Sequence, residues 1–199
     1  MSKVQTINIA LIGYGFVGKT FHAPLIQSVD GLKLAVVSSR DEEKVKRDLP
    51  DVLVVATPEE AIQHPDVDLV VIASPNATHA PLATLALNSG KHVVVDKPFT
   101  LDMQEARDLI ALADEKQLLL SVFHNRRWDS DFLGIKQIIE QGTVGKVKHL
   151  ESHIDRFRPE VRVRWREQNV PGSGLWFDLG PHLIDQTLQL FGLPQSVQG

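Results

Sequence analysis

Residues 12 to 18 read Ile-Gly-Tyr-Gly-Phe-Val-Gly and directly follow the apolar run Ile7-Asn8-Ile9-Ala10-Leu11, so a buried strand runs into a G-x-G-x-x-G turn. At that spacing each glycine has its own task. Gly13 makes the sharp strand-to-helix turn, Gly15 lets backbone approach a pyrophosphate, and Gly18 lets the next helix pack on the strand. A pyrophosphate so held rests on a helix N-terminus, where free N–H groups and the helix dipole favour negative charge. Without a strand before it and the helical stretch Lys19 to Val29 after it, the same trio would be only a tight turn. In that context Gly13, Tyr14, Gly15, Phe16, Val17 and Gly18 are expected to contact a dinucleotide.

The end of the second strand reports on which dinucleotide. An acidic residue about 20 positions beyond the glycine turn holds the ribose hydroxyls of NAD. Here the stretch is Val37-Ser38-Ser39-Arg40, with no carboxylate before Asp41. The hydroxyls of Ser38 and Ser39 and the Arg40 guanidinium suit a 2′-phosphate, to which Arg forms paired, charge-assisted hydrogen bonds. NADP is therefore expected, with NAD as the alternative if Arg40 only stacks on the adenine or faces solvent.

Oxidising a secondary alcohol with a nicotinamide removes a hydride from carbon and a proton from oxygen, so a base must reach the hydroxyl. Lys97, Asp178 and His182 are the groups available for that work. Lys97 follows the fifth expected strand, and ligands of parallel sheets bind at the carboxyl ends of strands. Asp178 and His182 are four apart, which on a helix places both on one face, although Gly180-Pro181 between them points to Asp178 lying at or before the helix start. Taken singly, Lys97 reads as a solvated charge, Asp178 as a helix cap and His182 as a packing residue.

These groups need elements to hold them. Val- and Ile-rich runs alternate with helical stretches, the pattern of a parallel sheet covered on both faces. Strands are expected near 4–12, 32–38, 52–55, 68–73, 91–95 and 118–123, with helices near 17–29, 41–48, 58–63, 79–89 and 102–116. The fold class is α/β, a doubly wound Rossmann domain over residues 1–125. Residues 126–199 read as the N-terminal part of an α+β substrate or dimerisation domain, apparently truncated. It comprises a helix at 130–141, a strand at 146–157, an Arg-rich loop, a helix at 176–191 stopped by Gly192 and Pro194, and a new strand starting at Gln195-Ser196-Val197. One strand cannot close a sheet, and an open edge exposes unpaired backbone groups, so either the chain is a fragment or another subunit completes it, and a homo-oligomer is expected.

The 199 residues carry a net charge of −4, which excludes nucleic acid as the main partner, and the basic run Arg156 to Arg166 reads as a local exception. There are no cysteines, so neither disulfides nor thiolate metal sites are expected. His149 and His153 share a strand face but are well separated, and no metal is expected. No signal peptide and no membrane-spanning apolar run is visible, which makes the cytoplasm the default.

The motifs together resemble the Gfo/Idh/MocA oxidoreductases. The resemblance covers the whole chain and rests on Gly13-Tyr14-Gly15-Phe16-Val17-Gly18, Ser74-Pro75-Asn76-Ala77-Thr78-His79, Asp96-Lys97-Pro98, and Gly172-Ser173-Gly174 with Asp178-Leu179-Gly180-Pro181-His182. Thr20-Phe21-His22-Ala23-Pro24 and His124 to Phe132 look closest to the branch containing NADP-dependent scyllo-inositol dehydrogenase. Asp-Lys-Pro stands where the family has Glu-Lys-Pro, and family members are much longer. The resemblance implies that Lys97 and His182 contact the reacting oxygen, with His182 the proton acceptor and Asp178 orienting the site. It also implies that Ser74, Pro75, Asn76 and His79, with Lys97, line the nicotinamide side. Asn125, Arg156 and Trp165 are expected to join Lys97, Asp178 and His182 around a polyol or sugar, with Arg158, Arg162 and Arg164 nearby. The Lys97-Pro98 bond is a candidate cis peptide. Two functions follow: hydride transfer between NADP(H) and an inositol-like secondary alcohol, or a catalytically silent nucleotide-binding or regulatory module.

Overall fold

The computed structural model describes residues 6–155, 157–160 and 167–198. The chain divides into two compact units, residues 1–123 and 124–199.

The first unit is built on six strands: β1 (Ile7–Ile12), β2 (Leu32–Ser38), β3 (Leu53–Val55), β4 (Leu69–Ile72), β5 (His92–Asp96) and β6 (Leu120–Phe123). All five pairings are parallel, in the order β3-β2-β1-β4-β5-β6. Successive residues of a strand point to opposite faces, and both faces here are covered. Ile9 and Leu11 of β1 join Val37, Val45 and Ile26 on one side, while Ala10 and Ile12 join Val70, Ile72, Ala83 and Leu87 on the other. Burial on both sides is why these strands are continuous apolar runs. Chain order reverses between β1 and β4, so a crevice opens at their carboxyl ends.

The covering helices are α1 (Ala23–Ser28), α2 (Glu42–Asp48), α3 (Pro58–Ile62), α4 (His79–Asn88) and α5 (Met103–Glu115). The helix expected over 17–29 contains a π-helical stretch, Gly18–His22, before α1. Side-chain caps fix the starts of α2, α3 and α5. Asp41 Oδ1 accepts the Lys44 N–H at 2.9 Å, Thr57 and Glu60 form a reciprocal capping box, and Asp102 accepts from the backbone of Gln104 and Glu105.

The second unit holds a 3-10 turn (Asn125–Trp128), α6 (Ser130–Glu140) and α7 (Gly174–Phe191). Two expectations are overturned. Residues 147–155 form no strand, and neither do residues 195–197. A strand exists by hydrogen bonding to a neighbour, and the second unit offers no second strand among the described residues. Side chains instead interact locally, with Glu151 Oε1 lying 3.0 Å from His149 Nε2. The third difference is that α7 begins at Gly174, which puts Asp178 inside the helix rather than before it.

Candidate functional site

The glycine turn is built from contacts that only glycine permits. Gly13 lies in the left-handed region (φ +96°), and a Cβ there would stand 2.7 Å from the Ala73 carbonyl oxygen. A Cβ on Gly18 would run into the Gly13 carbonyl oxygen. Gly15 differs: a Cβ there meets no protein atom within 4 Å. Its bare face opens on space, as a backbone that must receive a phosphate requires. The turn is tied to its neighbours by Gly13 N–H donating to Ser38 O (3.1 Å) and Ala73 N–H donating to Ile12 O (2.9 Å).

A cleft of about 410 Å³ follows this edge, within the range of small-molecule sites. Gly13, Tyr14, Gly15, Ser38, Ser39, Arg40 and Ser74, all expected from sequence, line it together. Asp41 and Lys44 line it as well. Asp41 Oδ1 caps α2, and Ser39 Oγ donates to the Asp41 carbonyl at 3.1 Å. Arg40 is exposed on the rim.

Tyr14 is held by α2 at two points. Lys44 Nζ donates to its carbonyl oxygen (2.9 Å), and its phenol donates to Asp48 Oδ2 (3.2 Å), which also pairs with Lys19 Nζ at 2.7 Å. Burial, together with the Asp48 charge and hydrogen bond, pushes the Tyr14 phenol up to about 12. The Lys19 hydrogen bond holds Asp48 below the usual carboxylate range. Tyr14 therefore lines the cleft with its ring anchored in the core. Phe16 is 73% exposed at the helix start and meets Phe21 edge-on at 5.9 Å. Val17 follows it into the helix.

Past β4, Ser74 Oγ and Thr78 Oγ1 share a hydrogen bond at 2.6 Å, Thr78 Oγ1 donates to Pro75 O at 2.7 Å, and Asn76 is buried. Past β5, the Lys97 N–H donates to Asp96 Oδ1 at 2.9 Å, and the Lys97-Pro98 peptide is cis. His79, at the first residue of α4, is buried with both ring nitrogens against backbone carbonyls. His22 is also buried, its ring 4.2 Å from that of Phe123, and burial pushes its imidazole down to about 4.

In the second unit Asp178 and His182 stand one turn apart on α7, and Asp185 continues the same face. His182 and Asp185 are buried. Arg127 grips Asp185 with two hydrogen bonds, Nε at 2.7 Å and a second nitrogen at 2.6 Å, which raises its already high basicity. His124 Nδ1 lies 3.9 Å from the same carboxylate, and Gln186 Nε2 donates to Arg126 O at 3.0 Å. These bonds dock α7 on the turn that carries Asn125. Arg158 is exposed, while Arg156, Arg162, Arg164 and Trp165 lie outside the described residues. Among the described residues no group of three ligating side chains could hold a metal, and no helix is long and apolar enough to cross a membrane.

Sequence reasoning missed Lys44, Asp48, Arg127 and Asp185. Asp185 carried a signal, its position three residues beyond His182 on one helix face. Lys44 lies three residues past the Asp41 cap, on the turn that faces the cleft.

Residues 7–124 match the oxidoreductase family with an NAD-binding Rossmann fold, and residues 132–199 match the GFO/IDH/MocA C-terminal domain. The chain is 59% identical over 193 residues to the uncharacterized oxidoreductase YdgJ of Escherichia coli, spanning 97% of this chain and 56% of that protein. It is 43% identical to the scyllo-inositol 2-dehydrogenase (NADP(+)) IolW of Bacillus subtilis, over 98% of this chain and 54% of that one. A solved Klebsiella pneumoniae protein assigned as an oxidoreductase is 86% identical, with a TM-score of 0.90 over 98% of this chain and 54% of its own. The chain thus spans about half the length of the curated relatives it matches. With both halves matched in order, the chain belongs to the Gfo/Idh/MocA family of oxidoreductases.

Proposed function

We propose that this protein moves a hydride between NADP(H) and a secondary alcohol of an inositol-like polyol or sugar. One observation carries the choice of nucleotide. The end of β2 and the first turn of α2 offer Ser39, Arg40 and Lys44 to the cleft, and no carboxylate stands in the chain between Leu32, where β2 begins, and Asp41, which has one oxygen engaged in capping α2. Two cations and a hydroxyl suit a 2′-phosphate. The open face of Gly15 provides room for the pyrophosphate. Similarity to IolW, whose name specifies NADP and scyllo-inositol, supports both the cofactor and the substrate class.

The bound nicotinamide supplies the hydride acceptor. The protein supplies position and proton transfer. Lys97 offers a cation to the substrate oxygen, His182 accepts the hydroxyl proton, and Asp178 orients the site from one turn earlier on α7. Pro75, Asn76 and the backbone past β4 border the nicotinamide side, and Asn125 with Arg156 and Trp165 contribute to the substrate mouth. Self-association belongs to the same proposal, because the alternating stretch His149 to Ile154 has no partner strand in the second unit among the described residues.

The test is NADPH and NADH fluorescence titration, followed by turnover with scyllo-inositol, myo-inositol and a panel of sugars. Preference for NADPH with oxidation of at least one polyol is expected. NADPH binding without turnover of any polyol would select the silent nucleotide-binding module instead. Light scattering over a dilution series reads the oligomer, and a monomer at all concentrations would remove that part.

A further inference from the structure

His79 lies 1% exposed at the start of α4, with each ring nitrogen against a backbone carbonyl oxygen: Nδ1 is 2.8 Å from Pro98 O and Nε2 is 3.0 Å from Ser74 O. Carbonyl oxygens only accept, so in any hydrogen bond with either of them the ring is the donor. A neutral imidazole carries one N–H and donates to one of the two at a time, whereas a doubly protonated ring donates to both. The two carbonyls belong to different turns. Ser74 opens the turn after β4 and lines the nucleotide cleft, and Pro98 follows Lys97 in the turn after β5.

We propose that His79 is a positioning residue that links these two turns and sets where Lys97 stands relative to the nicotinamide border. The proposal rests on the dehydrogenase reading above. The two links are not equal. The Ser74 turn has its own restraints, in the Ser74 Oγ to Thr78 Oγ1 bond (2.6 Å) and the Thr78 Oγ1 to Pro75 O bond (2.7 Å). The Lys97-Pro98 turn is tied across to the first residue of α4 through the Nδ1 link. Losing the Nδ1 donor therefore unties the Lys97 turn from the turn after β4, leaving in place the local Lys97 N–H to Asp96 Oδ1 bond, and losing the Nε2 donor leaves the Ser74 turn largely held.

Two substitutions separate the links. An Asn amide places its donor where Nδ1 lies, and a Gln amide places it where Nε2 lies. With the full chain, His79→Gln is expected to lower kcat for scyllo-inositol oxidation about tenfold or more while NADPH affinity stays within about threefold, as for one buried hydrogen bond lost at the lysine turn. His79→Asn is expected to lose less, on the order of threefold in kcat. Equal losses in both variants, or kcat falling only in proportion to folded protein, would make His79 an ordinary packing residue and overturn the proposal.

A readout without turnover keeps the two readings apart. Long-range 1H–15N correlation of the wild-type ring, which works even if His79→Gln does not fold, is expected to show a proton on Nδ1. A ring carrying its only proton on Nε2 would leave a lone pair facing Pro98 O and overturn the link to the lysine turn. Wild-type protein that shows the Nδ1 proton yet oxidises no polyol would overturn the proposed function and leave the link standing.

Discussion

Alanine substitutions at Gly15 and Gly18 should separate the turn's fold from its ligand. At Gly18 the added methyl would lie far inside van der Waals contact with the Gly13 carbonyl oxygen, and backbone cannot swing aside as a flexible side chain can. Helix and strand must move apart, at a cost of about 1–3 kcal/mol typical of overpacking. Gly18→Ala should therefore melt several degrees lower, and NADPH binding should suffer only through the distorted turn. At Gly15 the methyl meets no protein atom within 4 Å, and Gly15 is not among the glycines with positive φ. Gly15→Ala should leave stability unchanged or raise it by about 0.4–1 kcal/mol, because it restricts the unfolded chain. Yet the same methyl occupies the space assigned to the pyrophosphate, so NADPH affinity should fall by about 10- to 100-fold, or roughly 1.4–2.8 kcal/mol. Thermal melts and NADPH fluorescence titration on both variants give four numbers. Wild-type NADPH affinity in Gly15→Ala would refute the placement of the pyrophosphate, and a wild-type melt for Gly18→Ala would refute the steric account of the motif.

Arg40→Ala should weaken NADPH about tenfold or more, as for a charge-assisted contact worth roughly 1.5–3 kcal/mol, while leaving NADH nearly unchanged; equal weakening of both would make Arg40 a stacking residue. Lys97→Ala should abolish turnover and keep NADPH affinity within severalfold, since a charge at the reacting oxygen acts mainly in the transition state, and parallel losses would mark it as a cofactor ligand. Burial pushes His22 down to about 4 from 6.5, so between those values the unfolded chain binds a proton that the fold refuses. Stability is then full above about pH 6.5 and is lost as the pH falls toward 4, by up to about 3 kcal/mol; urea unfolding at pH 7 and pH 4.5 should show this slope flattened in His22→Phe, and an unchanged slope would assign it elsewhere. Asp185→Asn breaks the two-pronged Arg127 pair, and because the Arg127 side chain is 39% exposed the expected loss is about 1–3 kcal/mol, short of a fully enclosed pair, with an unshifted melting curve as the contrary result.

The first unit is legible in sequence for a physical reason. With both faces of the sheet covered, Leu69-Val70-Val71-Ile72 and Val93-Val94-Val95 must be apolar throughout, and such runs between caps and glycines leave few readings. The glycine motif is legible because each glycine answers a local steric demand. What sequence does not show is Tyr14's second attachment. Its place in the motif reads as a cofactor contact, while Lys44 and Asp48, within hydrogen-bond reach in space but 30 and 34 residues away along the chain, hold its carbonyl and its hydroxyl. The stretch at 146–157 fails for a related reason. His149, Glu151 and His153 alternate with Leu150, Ser152 and Ile154 as a half-buried strand would, but alternation records only which face a side chain would take in a sheet. Whether a partner strand is there to make the sheet is not written in that segment.

Helix α7 shows the same limit at the level of chemistry. Asp178, His182 and Asp185 follow one another on a single face, so their spacing reads directly as a row of polar groups presented together. Gly180-Pro181 suggests a helix start, because proline favours the first turn, yet the helix runs through from Gly174 and the row is complete. Spacing alone cannot say which member of such a row meets the substrate and which secures the helix. That distinction comes from a residue 58 positions earlier, since Arg127 occupies both oxygens of Asp185 and so commits that carboxylate to structure. In the proposed reaction, proton transfer would then fall to the members Arg127 does not engage, and the sequence row would become a division of labour only once the fold has brought the arginine to one end of it.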